Sequence, residues 1–216
     1  MADRSRIFDL ASTVVVVVAA LTLVGFQLFA RPAVPTGAPP TLMGFVETWR
    51  EDNASGVWIG PPDAKMVITG FMDFTCPYCQ QLAPVIDSLM TLHPDDVAFV
   101  FQHYPLARPQ SIPAAIAAEC ADRQDRFPEM QRMIYERIDP AGETVWVEVA
   151  DDAGVPDLEA FSSCLGLPQE EFPRIAAGSA LGQHIGIRGT PTLWINGEVL
   201  NIRDVGGFER KLAELE

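Results

Sequence analysis

The chain of 216 residues carries 29 acidic against 15 basic side chains, a formal charge of −14, and is 48% hydrophobic. That negative balance, with no basic cluster to interrupt it, argues against nucleic acid or anionic lipid headgroups as ligands of the globular part. No internal repeat is visible, so the chain reads as one ordinary domain preceded by an appendage.

The appendage begins with residues 1–9, followed by a stretch from Leu10 to Ala30 without a charged residue. At about 1.5 Å per residue this stretch spans roughly 31 Å, matching a hydrocarbon core of about 30 Å, so residues 10–30 are expected to form a single transmembrane anchor. A cleaved signal peptide is the alternative, but the residues before Arg31-Pro32 offer no clear small-x-small site. Arg4 and Arg6 precede the segment and Arg31 alone follows closely. The positive-inside rule then places residues 1–9 in the cytoplasm and the domain outside it. Residues 31–55, broken by Pro32, Pro35, Gly37, Pro39, Pro40 and Gly44, read as a linker with a short helix around Leu42 to Arg50.

The domain proper is expected over 56–216. Met66 to Phe74 has the β-branched and aromatic content of a buried strand, and Leu82, Val85, Ile86, Leu89 and Met90 then recur at helical spacing. Val97 to Phe101 is a second strand, completing a β-α-β unit. Helical segments follow: from Ser111 and Pro113 through Cys120, from Pro128 through Ile138, Glu143 to Ala153 before Gly154, Asp157 to Leu165 before Gly166, and Glu170 to Gly182. Strands return at Thr192–Ile195 and Glu198–Ile202, joined by Asn196-Gly197, a strong hairpin signal. A helix over Phe208–Leu215 closes the pattern.

Chemistry concentrates at Cys76-Pro77-Tyr78-Cys79, between the first strand and its helix. A thiol at a helix start meets unpaired backbone N–H groups and the positive end of the dipole, which favour thiolate. Cys76 is therefore the expected nucleophile, on an exposed sulfur, and Cys79, one turn deeper, the resolving thiol. Pro77 suits the first helical turn, where its missing N–H costs nothing. A zinc site would need a second ligand pair, and Cys120, Cys164, His93, His103 and His184 are scattered singly, so no metal is expected. A purely structural bridge across so short a loop would constrain little of the unfolded chain. In an oxidising compartment Cys120 and Cys164 would form a structural disulfide, the alternative being two buried thiols.

The order β-α-β, helical block, β-β-α is the thioredoxin arrangement with helices inserted at about 111–182. The domain resembles the DsbA-like thioredoxin-fold thiol:disulfide oxidoreductases. The residues that carry the likeness are Asp73-Phe74-Thr75-Cys76-Pro77-Tyr78-Cys79, Pro84 in the same helix, His103-Tyr104-Pro105-Leu106 and Gly189-Thr190-Pro191-Thr192. The likeness runs from about Val57 to the C-terminus. It implies a cis Pro191 beside the cysteines and a substrate-binding surface of Thr190, Pro191, Pro77 and Tyr78, on which an extended peptide pairs by strand addition. It implies no cofactor. Relatives commonly carry a buried acid six positions before the first cysteine, where this chain has Gly70, so that role does not carry over. Asp73 is expected as a solvated cap or loop anchor and His103 as a structural hydrogen-bonding group.

These readings converge on an extracytoplasmic oxidoreductase whose Cys76–Cys79 pair exchanges disulfides with exported proteins, as oxidase, reset by a membrane redox partner. Reduction or isomerisation by the same fold is the nearest alternative. A membrane-tethered module for soft ions such as Cu(I), or a vestigial redox subunit, is the rival from another class.

Overall fold

A computed structural model describes residues 45–139 and 144–200. The expected cytoplasmic N-terminus, the anchor over 10–30, most of the linker, the end of the last strand and the helix over 208–215 lie outside the described residues. Among the described residues no helix is long and apolar enough to cross a membrane.

The elements are α1 (Trp49–Asp52), β1 (Val57–Ile59), β2 (Met66–Met72), α2 (Pro77–Leu92), β3 (Val97–His103), α3 (Ser111–Asp122), α4 (Phe127–Arg137), α5 (Trp146–Asp152), α6 (Leu158–Leu165), α7 (Pro173–His184), β4 (Thr192–Ile195) and β5 (Glu198–Leu200), with single 3-10 turns at Asn53–Ser55 and Gln169–Glu171. The strands form one mixed sheet in the order β1-β3-β2-β4-β5. Parallel pairing of β2 with β3 registers Met66 on Val97 and Met72 on His103, and antiparallel β4 sets Leu193 opposite Gly70. This is the mixed α/β thioredoxin arrangement expected from the sequence.

All seven residues of β2 are buried, and its alternation sorts them onto two cores. Met66, Ile68 and Met72 join Phe99, Phe101, Leu193 and Ile195 beneath α2 and the helical block, while Val67 and Phe71 pack with Val100, Trp194 and Trp49 on the other face. Covered on both sides, the strand reads as a continuous apolar run. The hairpin between β4 and β5 forms as its dipeptide demands: Asn196 and Gly197 both take positive φ, 48° and 88°.

Helix α7 lies against the end of β3 through Gly178, where a Cβ would stand 2.4 Å from the His103 carbonyl oxygen. A close approach of helix to strand therefore requires glycine at that position. Cys120 on α3 and Cys164 on α6 are disulfide-bonded, with Cα atoms 5.8 Å apart. The bridge ties two helices of the inserted block together.

Three expectations need correction. Residues 45–55 are not linker but part of the folded unit: Trp49 is 7% exposed, the Val46 N–H donates to the Gly197 carbonyl at 2.7 Å, and Thr69 donates to buried Asn53 at 2.7 Å. The aromatic side chain of Trp49 outweighs the texture of the prolines before it; of the short helix expected around Leu42 to Arg50 the described part is Trp49–Asp52, and 42–44 lie outside the described residues. The strand β1 was not foreseen, because three residues give no periodicity. The segment Glu170–Gly182 is divided, since Pro173 begins a new helix after the turn at Gln169–Glu171.

Candidate active site

The loop between β2 and α2 is built on one buried carboxylate. Asp73 Oδ1 accepts from the Thr75 N–H at 2.8 Å and the Thr75 hydroxyl at 3.0 Å, and Oδ2 accepts from the Leu106 N–H and the Ser111 hydroxyl, each at 2.8 Å. One side chain thereby fixes the loop after β2, the loop after β3 and the first residue of α3. Of the two roles expected for Asp73, loop anchor holds and solvated cap does not, since the residue is 2% exposed. A carboxylate is tolerated there because four donors replace its hydration. Arg108 adds a hydrogen bond to the Thr75 carbonyl.

Cys76 follows as the N-cap of α2, with extended backbone (φ −85°, ψ 119°) and Pro77 at the first helical position. Its N–H donates to the Asp73 carbonyl at 3.0 Å and its carbonyl accepts from Gln80 N–H at 3.1 Å. From the far end of the chain the loop before β4 brings Thr190, whose carbonyl lies 3.2 Å from Cys76 Sγ. The Thr190–Pro191 peptide is cis, and the Thr192 hydroxyl closes that loop on the Gly189 carbonyl at 2.8 Å. Cys76, Cys79, Thr190, Pro191, Pro77 and Tyr78 are thus assembled at one end of the sheet, at the start of α2. The sulfur is not freely exposed as the sequence suggested: Cys76 is 3% accessible, because the Thr190 carbonyl lies against it, whereas Pro77 and Tyr78 stand in solvent.

The two thiols are pulled apart. The Cys79 thiol, hydrogen-bonded to the Cys76 sulfur, holds Cys76 down at about 5 against an ordinary 9.0; burial opposes this, and Thr190 and the backbone N–H groups of Cys79 and Tyr78 reinforce it. Burial drives Cys79 far above 9.0, and its hydrogen bond to Cys76 pushes the same way. At neutral pH the reduced pair therefore holds a Cys76 thiolate and a Cys79 thiol.

Gly70 is explained by packing. A Cβ there would meet Leu193 Cδ2 at 2.8 Å and the Phe99 ring at 2.9 Å, so any larger side chain requires these two core residues to shift. His103 is buried and bonds Glu119 at 2.8 Å, and Glu119 in turn takes Arg174 at 2.9 Å. Burial raises the Glu119 carboxyl, but His103 and Arg174 outweigh it and hold the group below its ordinary value. The trio pins α3, α7 and the end of β3, a structural use of His103. Among the described residues no three His, Cys, Asp or Glu side chains come together as a metal site. Sequence reasoning gave Thr75, Leu106, Arg108 and Ser111 no role at the site; Thr75, Leu106 and Ser111 converge on the Asp73 carboxylate, and Arg108 joins them through the Thr75 carbonyl.

A thioredoxin family model matches residues 52–212, which contain this whole assembly. The chain belongs to the thioredoxin family. Within it the fold is DsbA-like. A thioredoxin-like oxidoreductase from Silicibacter pomeroyi DSS-3 is 25% identical, matches 73% of this chain and 93% of its own, and superimposes with a TM-score of 0.60. The thiol-disulfide exchange protein α-DsbA2 from Wolbachia pipientis (16% identity, 78% and 92%, TM-score 0.68) and BdbD from Bacillus subtilis (22%, 81% and 97%, 0.67) share the fold. Among curated proteins, the Na(+)/H(+) antiporter NhaA 1 of Mycobacterium sp. (strain KMS) is 28% identical over 210 residues, 91% of this chain. The chain spans 31% of that antiporter's length, so the likeness concerns a minor part of it.

Proposed function

We propose that this chain is a protein thiol:disulfide oxidoreductase that acts outside the cytoplasm on the cysteines of exported proteins, in the direction of oxidation. The observation that carries the reading is the Cys76–Cys79 pair at the start of α2 beside the cis Thr190–Pro191 loop, with the Thr190 carbonyl 3.2 Å from Cys76 Sγ. A substrate thiolate attacks Cys76 Sγ of the Cys76–Cys79 disulfide; the new bond joins substrate sulfur to Cys76, and Cys79 leaves with the electron pair. A second substrate thiolate then attacks the first substrate sulfur, releasing the substrate disulfide and the Cys76 thiolate, while Cys79 takes a proton from solvent. Two electrons pass from substrate to the pair. A thiolate held at about 5 is a good leaving group and stabilises the reduced enzyme, which makes the disulfide oxidising.

An oxidising compartment is supported by the Cys120–Cys164 bridge, since such bonds are rare in reducing cytosol. Residues 10–30 supply the expected single-pass anchor, and a membrane redox partner would reoxidise the pair. Half-buried Thr190 and Pro191 with exposed Pro77 and Tyr78 would receive the substrate as an added strand. Against Cu(I) handling, Met66 and Met72 are each 1% exposed in the core of β2 and offer no ligands.

A redox titration of the purified protein against glutathione tests the direction. A strongly oxidising potential is expected; a value near that of thioredoxin would reassign the chain as a reductase, and tight stoichiometric metal uptake without redox cycling would favour the metal module.

A further inference from the structure

The chain is acidic, yet the end of the domain that carries Cys76 is not. The three segments that build the site, 74–86, 97–118 and 172–197, contain no Asp or Glu, although the chain has 29 acidic residues. Asp73 and Glu119, at the ends of two of these segments, are buried and hydrogen-bonded. Two exposed arginines stand at this end instead. In the sheet β2 lies between parallel β3 and antiparallel β4, so the loop after β3 and the loop before β4 flank the Cys76 loop on its two sides. Arg108 belongs to the first and Arg188 to the second.

Both loops are tied to the reactive sulfur. The Leu106 N–H donates to Asp73 Oδ2 at 2.8 Å, and the Arg108 guanidinium donates to the carbonyl of Thr75, the residue before Cys76. On the other side the Ile187 carbonyl accepts from the Tyr104 hydroxyl at 3.1 Å and the Thr190 carbonyl lies 3.2 Å from Cys76 Sγ, so Arg188 sits between two anchored residues. Among the described residues, ion pairs with carboxylates are made by Lys65, His103, Arg137 and Arg174, and by neither of these two arginines. The Thr75 carbonyl is neutral, so the charge of Arg108 is left for an incoming group.

We propose that Arg108 and Arg188 select substrates in which acidic residues flank the reacting cysteine. This rests on the exchange reading above and names the substrate class of the same site. The formal charge of −14 repels an acidic peptide at a distance, but at physiological ionic strength charges more than about 8 Å apart are largely screened, so the nearest groups decide. An extended chain advances about 3.3 Å per residue, which keeps residues one or two positions from the substrate cysteine within that range of the loops beside Cys76. Complementary charge at such a rim acts on encounter and partner choice, and exposed pairs contribute modestly, so the selection is a ratio of rates rather than all-or-none.

The test uses three otherwise identical peptides whose single cysteine is flanked by Glu, Gln or Lys, and follows the second-order rate at which each opens the Cys76–Cys79 disulfide of the full chain. Each rate is divided by that of the same peptide with hydroxyethyl disulfide, which cancels the effect of the flanking charge on the peptide's own thiol. At about 0.15 M salt the Glu peptide is expected to react about tenfold faster than the Lys peptide, and about 1 M salt, where the screening length falls to about 3 Å, should bring the ratio near one. Arg108→Gln/Arg188→Gln should bring it near one at the lower salt, since an amide at position 108 can still donate to the Thr75 carbonyl. Arg188→Gln alone removes no side-chain hydrogen bond seen among the described residues and should give an intermediate ratio, so the test stands even where the double variant fails to fold. Equal rates for the Glu and Lys peptides, a preference for Lys, or a preference for Glu that survives either about 1 M salt or loss of both arginines would overturn the proposal. A disulfide that none of the three peptides opens, the Gln peptide included, would instead remove the exchange reading, and this inference with it.

Discussion

The molecule holds two cysteine pairs that stand in opposite relation to the fold. Cys76 and Cys79 share one helix start, where the hydrogen bond between them, helped by backbone N–H groups, holds Cys76 below its ordinary value, while burial and the same hydrogen bond push Cys79 above it. Cys120 and Cys164 lie 44 residues apart on α3 and α6, within the inserted helices, and their bond closes a long loop. Reactivity follows from position at an element's end, and stabilisation from the length of chain enclosed. The same chemical bond serves chemistry in one place and architecture in the other.

The sharpest way to break the comparison is to remove one sulfur from each pair. Cys76→Ser is expected to reduce exchange with a thiol peptide by at least about a thousandfold, to background, while Cys79→Ser accumulates a mixed disulfide visible by mass spectrometry. The Cys120→Ala/Cys164→Ala variant should retain a Cys76 thiolate titration indistinguishable from wild type. Its cost falls on folding: on the order of 4 kcal/mol, lowering Tm by roughly 8–16 °C for a domain of this size. Loss of exchange with unchanged Tm in the double alanine variant would mean that the insertion, too, belongs to the site.

Asp73 links the two regions, since it bonds both the loop that carries Cys76 and Ser111 at the start of α3. Asp73→Ala leaves four donors without their acceptor and should destabilise the domain by about 3 kcal/mol in urea unfolding, while displacing the Cys76 loop enough to slow exchange. A fall in stability alone, with exchange intact in the folded fraction, would confine Asp73 to architecture.

The dithiol should also write its signature on pH dependence. Cys76 is depressed from 9.0 to about 5, so its contribution to the stability of the reduced domain is fully present above pH 9 and is lost as pH falls from 9 to 5. Cys79 is raised, so its contribution is present below 9 and lost above it. Stability of the reduced form relative to the disulfide form should therefore climb between pH 5 and 9 and decline beyond, and thiolate absorbance at 240 nm should half-titrate near pH 5. A flat difference between the two forms across this range would remove the ionisation argument.

How far the sequence disclosed this depends on whether the determining contacts are local. Strand β2 was legible because both its faces are covered and seven consecutive residues are apolar or small, and the Asn196-Gly197 turn because the backbone angles are a property of the dipeptide itself. The site's local half, Cys76-Pro77-Tyr78-Cys79 at a helix start, was legible for the same reason. Its distant half was reached through the likeness of the Gly189–Thr192 segment to a family motif, not through physics. What stayed hidden depends on distance: Asp73 was read as an acid at a strand end, because its partners at Leu106 and Ser111 lie 33 and 38 residues on. Burial of Cys76 and Trp49 was equally invisible, since each is covered by a loop from the far end of the domain.

The smallest expected effect concerns Tyr78, which sits between the two reactive cysteines with 69% of its surface in solvent. A side chain so exposed contributes little to folding, so Tyr78→Ala should alter stability by no more than about 0.5 kcal/mol. If Tyr78 belongs to the substrate surface, its loss should raise KM for a cysteine-containing peptide several-fold, because an aromatic ring contributes contact area that glutathione is too short to use. The rate with glutathione should stay the same, since the Cys76 thiolate is held first by the Cys79 thiol and then by backbone N–H groups, all of which the substitution leaves in place. Measuring both substrates separates recognition from sulfur chemistry: a parallel loss with peptide and glutathione would assign Tyr78 to tuning of the thiol, and no change with either would place the peptide on the Thr190–Pro191 side of the site alone.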